Sequence, residues 1–511
     1  MRQLADGEAV AFAPGARPHR VVVLGNGMVS ARFVDNLARL TTRARVEITV
    51  LGEESVPAYN RLLLAEVVGG TVDPASLTLP AAPGGVAVHL GRLAVSIDRV
   101  NRTVEDADGV RHRYDTLVLA TGAAARVPTL ASPDGWNGKL PVHTLRTLDD
   151  CRRLLRAGRG ATRAVIMGGG LLGIEAASGL RARGIEVTVV HAGDHMLDRQ
   201  LDPISGDVAR RAMADLGIAL ITGATVRGLL LDGVGAVRGV ELSDRSKLDA
   251  DLVLVTAGVI PRVELARASG LAVDRGIVVG EDLRSPDDPR IAAIGDCAQP
   301  PSGCPGLLAP GWEQAEQLAA ALASRLQGSS TQPATGTPPR PAKASPPAGD
   351  VVRLKADGLD IVRLGRMPDD DRSRVISLVD RHGRRSLRVA IEADRIVGAV
   401  LVGAGAVAAQ LTIAFERGTP VPADPAVLLL GGASSWMTSR EEDTDTVCNC
   451  NQVTRGDIIT ACAAGAHTVE EIACATRATT GCGGCIGAVK GLLARAAATG
   501  PVPALAAAAK P

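Results

Sequence analysis

Aromatic residues, net charge and long apolar runs are all scarce in this 511-residue chain. Phe, Trp and Tyr together supply only 2% of it, and 56 Lys and Arg residues nearly balance 55 Asp and Glu residues. That balance argues against nucleic acid or an anionic membrane as the main partner. Apolar stretches such as 396–410 are short and interrupted by glycine, and no basic start with an apolar core opens the chain. We therefore expect neither a membrane span nor a secretory signal.

Cysteine is absent from the first 150 residues, and most of the nine cysteines lie near the C-terminal end at short spacings. Such spacings are typical of metal ligands in a reducing compartment, and they predict a cytoplasmic protein without a disulfide framework. Cys462 and Cys474 fall on predicted helices, so we expect both to be buried thiols. The remaining cysteines outside the C-terminal motif are expected to be small packed residues. These are Cys151, Cys297 and Cys304.

Four cysteines form the most informative pattern of the chain. Cys448 and Cys450 make a C-x-C motif, and after 31 intervening residues Cys482 and Cys485 make a C-x-x-C motif. Four thiolates brought together in pairs can hold a tetrahedral metal or a [2Fe–2S] cluster. Flanking Gly and Asn residues leave backbone N–H groups available to the cluster sulfurs. A structural zinc site uses the same ligands and stays open as the alternative.

A first glycine-rich motif, Gly25-x-Gly27-x-x-Ser30, follows the apolar run 21–24 and precedes a helical pattern. In a β–turn–α–β unit the first glycine permits the tight turn and the second lets the backbone approach a pyrophosphate. The third position needs a small residue, and the helix N-terminus offers free N–H groups to phosphates. Glu53 follows the second predicted strand, where an acid can bond a ribose hydroxyl. The motif therefore predicts a dinucleotide site.

A second motif of the same kind carries all three glycines, at Gly168, Gly170 and Gly173. Its second predicted strand, 186–190, ends at His191, where an acid would favour NAD. An imidazole there neither demands NAD nor excludes NADP. Glu175 is predicted on the first turn of the helix. It either points towards the nucleotide cleft or is a charge favoured by the helix dipole.

Two such units in this order resemble the two-dinucleotide-binding flavoprotein family. Three further segments carry the resemblance, namely Ala120-Thr121-Gly122, the run 258–262, and Ile294-Gly295-Asp296. The resemblance implies FAD at the first unit and NAD(P)H at the second, inserted unit. It implies that Thr121 and Gly122 lie in the segment that crosses between the domains, and that Asp296 bonds the FAD ribityl chain.

The resemblance also bears on Arg61 and on the missing cysteines. In the family the loop after the ribose acid passes near the flavin ring, so Arg61 could stabilise negative charge on reduced flavin. A plain surface arginine is the alternative. Many members pass electrons to a redox cysteine pair beside the flavin, but no cysteine precedes Cys151. Disulfide reductase chemistry and single-cysteine peroxidase or oxidase chemistry are therefore not expected.

The predicted fold class is α/β, with two Rossmann-like dinucleotide-binding domains, a small α+β domain and a small helical [2Fe–2S] domain. In the last domain we predict helices near 455–463, 469–475 and 486–497. The expected boundaries are 19–145 and 266–326 for the FAD-binding domain, 146–265 for the NAD(P)H-binding domain, 327–349 for a linker, 350–431 for the α+β domain and 446–497 for the [2Fe–2S] domain.

The cysteine region resembles the [2Fe–2S] domain related to bacterioferritin-associated ferredoxin, and the match includes 480–485. Four segments resemble the N-terminal half of the NAD(P)H-dependent nitrite reductase large subunit, namely 23–29, 57–61, 168–175 and 199–202, and the similarity runs through 481–487. That family continues into a sirohaem and [4Fe–4S] domain, whereas no cysteine follows Cys485. The resemblance therefore implies an electron-transfer subunit of an assimilatory nitrate reductase, with FAD, NAD(P)H and a [2Fe–2S] cluster as cofactors.

Several alternatives stay open at this point. The acceptor could be a nitrate reductase, a nitrite reductase, a ferredoxin or a rubredoxin, and the donor could be NADH or NADPH. An interpretation from another class is a metal- or redox-sensing interaction protein. The sequence leaves the oligomeric state open.

Overall fold

The structure is a computed structural model that describes residues 17–499 with gaps. The gaps are 43–44, 132–139, 305, 328–350, 355, 357, 369–372, 431–442, 449–450, 452 and 482. The predicted linker lies almost wholly outside the described residues, and so do Cys450 and Cys482. None of the described helices is both long enough and apolar enough to cross a bilayer.

Helices and strands alternate through the first half of the chain. The first part contains β1 (His19–Leu24), α1 (Met28–Leu40), β2 (Val46–Gly52), α2 (Leu64–Gly69), β3 (Val86–Leu90), β4 (Ala94–Asp98), β5 (Thr103–Asp106), β6 (Arg111–Arg113), β7 (Thr116–Leu119), β8 (Ala123–Ala125) and β9 (His143–Thr144). The second part contains α3 (Leu148–Gly158), β10 (Arg163–Met167), α4 (Leu171–Ala182), β11 (Glu186–Val190), α5 (Pro203–Asp215), β12 (Ile218–Ile221), β13 (Val226–Leu231), β14 (Val237–Leu242), β15 (Lys247–Asp249), β16 (Leu252–Val255) and β17 (Val259–Pro261).

The remaining elements complete the chain. They are α6 (Glu264–Ala268), β18 (Ile277–Val278), β19 (Arg284–Ser285), β20 (Asp288–Ala293), β21 (Ala298–Gln299), α7 (Leu308–Leu326), β22 (Val351–Arg353), β23 (Ile361–Gly365), β24 (Arg374–Asp380), β25 (Arg385–Glu392), β26 (Arg395–Val402), α8 (Ala406–Arg417), α9 (Val427–Leu430), β27 (Thr446–Cys448), β28 (Val453–Thr454), α10 (Arg455–Ala463), α11 (Val469–Thr476) and α12 (Ile486–Thr499).

The chain forms two compact units, and neither is continuous in sequence. The first comprises the described residues of 1–58, 81–123 and 261–334, and the second those of 59–80, 124–260 and 335–511. In the first unit, β1 lies between β2 and β7 in a six-stranded sheet of order β19-β20-β7-β1-β2-β3. Its central strands pair in parallel, and their apolar stretches, such as 21–24 and 117–119, are buried, as in strands covered on both faces. Phe33 and Leu37 of α1 pack into the same core as Leu318 and Leu322 of α7.

The second unit contains the other parallel sheet, with order β12-β11-β10-β16-β9. Helix α4 follows β10 and packs closely on α2. A Cβ atom added to Gly179 of α4 would lie 2.9 Å from the backbone nitrogen of Gly69 and 3.0 Å from the oxygen of Ala65. The two helices therefore approach more closely than any residue with a side chain would allow.

The second unit also holds an antiparallel sheet of order β22-β23-β26-β25-β24, backed by α8. Leu387, Leu401 and Phe415 are buried in its core. The strands and the helix agree with the predicted small α+β arrangement. Polar contacts tie this sheet to α5 and to Asp202, the residue that caps α5. Examples are Ser205 Oγ to Ser386 Oγ at 3.0 Å, Arg388 to Asp202 at 3.0 Å and Arg384 to Asp215 at 2.6 Å.

The C-terminal cysteine region is a small helical fold of α10, α11 and α12. Capping boxes begin α10 at Thr454 and α11 at Thr468, which sets the start of both helices. The three predicted helices are confirmed, and the core they share includes Ile472 and Val489. The expectation of buried thiols is wrong for Cys474, which is exposed, and only partly right for Cys462. Helix α11 has two turns and buries Ile472 alone, so its other face stays open.

Candidate nucleotide sites and cluster loop

The first glycine loop connects β1 to α1 through a turn that only glycine can make. Gly25 has φ +107°, and a Cβ atom there would lie 2.2 Å from the Ala120 oxygen. At Gly27 no atom of the described residues lies within 4 Å of the Cβ position, so the loop is open on that side. The Ser30 hydroxyl donates to the Gly27 oxygen at 2.9 Å, which fixes the loop from the helix side. The open backbone at the start of α1 fits a dinucleotide pyrophosphate.

Arg262 connects three of the residues predicted for this site. Its guanidinium donates to Glu53, which directly follows β2. Its backbone N–H donates to the Gly122 oxygen at 3.0 Å, and its own oxygen accepts from the Thr121 hydroxyl at 3.0 Å. Sequence reasoning assigned Glu53, Thr121 and Gly122 but overlooked Arg262, whose place at the end of the 258–262 run was its only indication.

Asp296 lies in a 3₁₀ turn, Gly295–Cys297, beside the start of α7. The Gly295 N–H donates to Gln314 Oε1 at 2.8 Å. Val29 at the start of α1 contacts the same turn, since a Cβ atom on Gly295 would lie 3.3 Å from Val29 Cγ2. Val29 also meets α7, where a Cβ atom on Gly311 would lie 2.8 Å from Val29 Cγ2. Close packing therefore brings the Asp296 turn to the N-terminal ends of both α1 and α7.

Two neighbouring side chains stiffen this junction. The guanidinium carbon of Arg32, on α1, lies 4.5 Å from the centre of the buried Trp312 ring, on α7. Arg32 also pairs with Glu316 at 2.8 Å. The cation–π contact and the ion pair account for the burial of this arginine on α1.

The second glycine loop connects β10 to α4 and is packed more tightly than the first. Gly168 has φ +121°, and a Cβ atom there would lie 2.6 Å from the Thr256 oxygen. A Cβ atom on Gly173 would lie 1.9 Å from the Gly168 oxygen, whereas the space at Gly170 is open. The Thr256 hydroxyl donates to the Gly168 oxygen at 3.1 Å. This loop also fits a pyrophosphate, with the open position again at the second glycine.

His191, directly after β11, turns inward onto the loop. Its Nδ1 accepts the Gly169 N–H at 3.2 Å, so the ring carries its proton on Nε2 when neutral. That Nε2 is buried, lies 3.6 Å from Asp198 Oδ2 and has no hydrogen-bond partner among the described residues. Asp198 therefore stands beside the position from which relatives of this fold choose between NAD and NADP, a feature that the strand pattern did not indicate.

Glu175 does not lie where it was predicted. Helix α4 begins at Leu171, so Glu175 is its fifth residue and lies on the second turn, beyond the strongest effect of the helix dipole. Glu175 lines a cavity of about 780 Å³, together with Glu66 and Ser178. No residue of the 168–173 loop is among those that line this cavity.

Arg61 begins the 3₁₀ turn Arg61–Leu63 and is partly buried. Its guanidinium carbon lies 4.8 Å from the centre of the Tyr59 ring, and its Nη1 donates to the Arg146 oxygen at 3.2 Å. The Tyr59 hydroxyl in turn accepts the Leu148 N–H at 2.8 Å. Arg61 is thus held in place and is not a plain surface arginine. Its role towards the flavin stays a prediction.

Two of the four predicted cluster ligands are described, and they meet. Cys448 and Cys485 are buried, and a hydrogen bond with the Cys485 thiol lowers the pKa of Cys448 to about 6. The N–H groups of Thr479 and Asn451 lower that pKa further, against the opposing effect of burial. Hydrogen bonds from N–H groups to cysteine sulfur also occur around iron–sulfur clusters, where they help to set the reduction potential. The described residues assemble no group of three metal-binding side chains, since the other two cysteines fall in gaps.

Asn451 holds the loop between α11 and the second cysteine motif. Its Nδ2 donates to the Arg477 oxygen at 2.6 Å and to Thr480 Oγ1 at 3.2 Å, and lies 3.6 Å from Cys448 Sγ. Arg477 and Thr479 both have positive φ, so the loop turns sharply between them. These contacts support the predicted site from outside the four ligands, as is usual for metal centres.

The cysteines of the nucleotide-binding parts have raised thiol pKa values, caused by burial. Burial raises the pKa of Cys151 to about 11, and it also raises that of the fully buried Cys297. A thiol with a raised pKa carries little thiolate at neutral pH. Cys304 is partly buried, and its thiol donates to the Ala298 oxygen at 3.2 Å. All three are packed or hydrogen-bonded side chains, in keeping with the prediction.

Residues 19–324 match the profile of the pyridine nucleotide-disulphide oxidoreductases. The chain belongs to this family. Residues 446–495 match the BFD-like [2Fe–2S] binding domain. As a pyridine nucleotide-disulphide oxidoreductase, the protein is an NAD(P)H-dependent FAD oxidoreductase, and the second match favours a [2Fe–2S] cluster over zinc. The predicted fold class and the three predicted cofactors are confirmed.

Similar proteins share this architecture. The chain is 30% identical to the assimilatory nitrate reductase electron transfer subunit of Bacillus subtilis (strain 168), over 93% of this chain and 60% of that protein. It is 31% identical to the nitrite reductase (NADH) large subunit of Escherichia coli (strain K12), over 91% of this chain and 54% of that protein. The covalent putidaredoxin reductase–putidaredoxin complex superposes with a TM-score of 0.66 at 26% identity, over 80% of this chain and 95% of that one. The chain thus spans little more than half the length of these two sequence relatives.

Proposed function

We propose that this oxidoreductase passes electrons from NAD(P)H, through FAD and a [2Fe–2S] cluster, to a separate catalytic subunit of an assimilatory nitrate reductase in the cytoplasm. One observation carries this proposal: the same chain contains two open glycine loops and a buried Cys448–Cys485 pair. Backbone N–H groups donate hydrogen bonds to the sulfur of Cys448. The similarity over 93% of the chain to the Bacillus subtilis electron transfer subunit supports this acceptor.

The residues divide into three groups by role. When bound, FAD takes a hydride with its two electrons from NAD(P)H, and a [2Fe–2S] cluster accepts one electron at a time. The open positions Gly27 and Gly170 leave room for the two pyrophosphates. Arg262 fixes the orientation of Glu53 for a ribose hydroxyl, and the packed turn at Gly295 presents Asp296. The proposed cluster ligands are Cys448, Cys450, Cys482 and Cys485.

Low-temperature EPR of anaerobically purified protein tests the internal path. A reduced [2Fe–2S] signal should appear after addition of NADH or NADPH, and the comparison of the two ranks the donors. Cys482→Ser should abolish this signal while the flavin absorbance still bleaches. Cys474→Ser is the matched control, because Cys474 is exposed and outside the motif, and it should retain both. Cluster reduction that survives Cys482→Ser would contradict the ligand assignment.

Reconstitution decides the acceptor. The reduced protein should support nitrate-dependent NAD(P)H oxidation when it is mixed with the catalytic subunit of an assimilatory nitrate reductase. The similarity to the Escherichia coli large subunit makes a nitrite-reducing partner the second candidate. Turnover with a nitrite-reducing partner and none with nitrate would replace the first proposal by the second. Slow turnover with every acceptor, together with metal-dependent protein binding, would favour a sensor.

A further inference from the structure

Asn60 contacts the loop that precedes the third predicted cluster ligand. Its Nδ2 donates to the Thr480 oxygen at 3.1 Å and to the Gly481 oxygen at 2.5 Å, although about 420 residues separate the partners in sequence. Gly481 is the residue directly before Cys482. Asn60 therefore joins the segment after β2 to the backbone of the cluster loop.

Both the oxygen and the nitrogen of the Asn60 side chain make hydrogen bonds. Asn60 is 3% exposed, and its Oδ1 accepts the Leu62 N–H at 3.1 Å, which caps the 3₁₀ turn 61–63. Its backbone N–H donates to the Leu77 oxygen at 2.8 Å. Both the oxygen and the nitrogen of the side chain are engaged, so the amide cannot rotate without losing buried hydrogen bonds.

The cluster loop is equally fixed on its other side. Asn451 donates to the Arg477 oxygen and to Thr480 Oγ1, and the Thr480 hydroxyl donates to the Arg477 oxygen at 2.9 Å. Two asparagines thus hold the same short loop. Asn451 lies within the cysteine region, and Asn60 lies outside it. The first organises the loop, and the second attaches it to another part of the chain.

We propose that Asn60 is a positioning residue that docks the cluster loop for electron transfer within the chain. Asn60 caps the 3₁₀ turn 61–63, so a loop fixed to Asn60 is fixed to that turn. Without the contact, we expect the cysteine region to keep its own fold but to lose its fixed position relative to the 3₁₀ turn 61–63. The inference rests on the proposed function, since it concerns the step that feeds the cluster.

Asn60→Asp is the sharpest test, because it changes only half of the side chain. The carboxylate keeps an oxygen for the Leu62 N–H but presents a second oxygen to the two carbonyls of the loop. We expect flavin bleaching by NAD(P)H to keep its wild-type rate in stopped-flow measurements. Cluster reduction should slow by about tenfold or more, since two buried carbonyls lose their donor and face a charge. Asn60→Gln retains the amide and should recover part of the rate.

Asn101→Asp is the matched control, because Asn101 is exposed in a turn and its side chain donates to the neighbouring Asp98. It should leave both rates unchanged. Hydrogen exchange of the full-length protein gives a readout that is independent of turnover. In Asn60→Asp, amides of 477–487 and 60–63 should exchange faster together, whereas helix α10 should not change.

The outcomes separate the two proposals. If NAD(P)H fails to reduce the cluster of the wild-type protein, the proposed function is overturned. The hydrogen-exchange measurement on Asn60→Asp then decides on its own whether Asn60 fixes the loop. A wild-type cluster that is reduced, with Asn60→Asp equal to it in rate and in exchange, would overturn the positioning role alone. Equal slowing by Asn60→Asp and Asn101→Asp would also overturn it.

Discussion

The two glycine loops carry nearly the same motif but are packed differently. In the first, Ser30 occupies the third position, and its hydroxyl bonds the Gly27 oxygen at 2.9 Å. In the second, a Cβ atom on Gly173 would lie 1.9 Å from the Gly168 oxygen and 2.8 Å from Thr256 Oγ1. Helix α4 therefore lies closer to its loop than α1 does. At the third position of the motif, the first loop accepts serine, whereas the second loop has room only for glycine.

The loops also differ at the end of the second strand. Glu53 leans outward and is held by Arg262, whereas His191 turns inward and takes the Gly169 N–H. The second loop uses one of its backbone donors, the Gly169 N–H, on the His191 side chain. The first loop makes no such bond to Glu53 among the described residues. Two matching sequence motifs thus give two sites with different tolerance for substitution.

The largest expected effect comes from exchanging the third positions. Gly173→Ser should destabilise the protein by about 3 kcal/mol or more, because its Cβ overlaps fixed backbone. The reciprocal Ser30→Gly should cost about 1 kcal/mol, the loss of one hydrogen bond. Thermal unfolding of both variants measures the difference. Equal stabilities would show that the two loops are packed alike.

The next effect separates the first glycine of a loop from the second. Gly25→Ala should cost about 2–3 kcal/mol, since φ is positive and the Ala120 oxygen is too close. The methyl of Gly27→Ala meets no atom of the described residues. Stability should therefore stay within about 0.5 kcal/mol while FAD binding falls, because that methyl occupies the pyrophosphate space. Melting temperature and flavin content report the two effects. Normal flavin content in stable Gly27→Ala would contradict the assigned site.

Glu53→Gln should weaken FAD binding by about 2 kcal/mol, roughly thirtyfold, by replacing a charged acceptor with a neutral one. Stability should change by less than about 1 kcal/mol, since the pair with Arg262 is exposed to solvent. Titration of the apoprotein with FAD measures the affinity. Glu105→Gln, at another exposed arginine pair, is the control and should bind FAD normally.

His191→Asp should give the smallest effect, a shift of about tenfold in kcat/KM from NADPH towards NADH, because a carboxylate repels a 2′-phosphate and bonds a 2′-hydroxyl. Steady-state kinetics with both donors and an artificial acceptor measures the ratio. His195→Asp, four residues further along, is the control. An unchanged ratio in His191→Asp would place the ribose elsewhere.

Local patterns predicted the elements well. The strand 186–190 and the helix 455–463 have their predicted bounds, because the turn glycine Gly184 precedes the strand and a capping box at Thr454 begins the helix. The glycines of both loops were predictable for the same reason, because a motif of six residues makes the turn. Cys448 and Cys485 were predicted as partners from spacing alone, and they do meet.

Contacts between distant parts of the chain were not predictable. Arg262 and Asn60 contact partners that the spacing of a single motif does not reveal. Asp198 lies only seven residues after His191, but it stands outside both glycine motifs. Glu175 was placed one turn too early, because the helix begins only after Gly170. Cys474 was expected to be buried because it falls on a predicted helix, but a two-turn helix has too little covered surface to bury both faces.

The close approach of Gly69 and Gly179 has a consequence for protein engineering. Residues 59–80 belong with 124–260, although 81–123 lie between them in the chain. A fragment cut at 124 and 260 would leave the glycine face of α4 bare and lose the helix that covers it. A stand-alone nicotinamide module would therefore need 59–80 spliced back on, because a contiguous fragment that includes 59–80 also carries 81–123, which belong to the other unit.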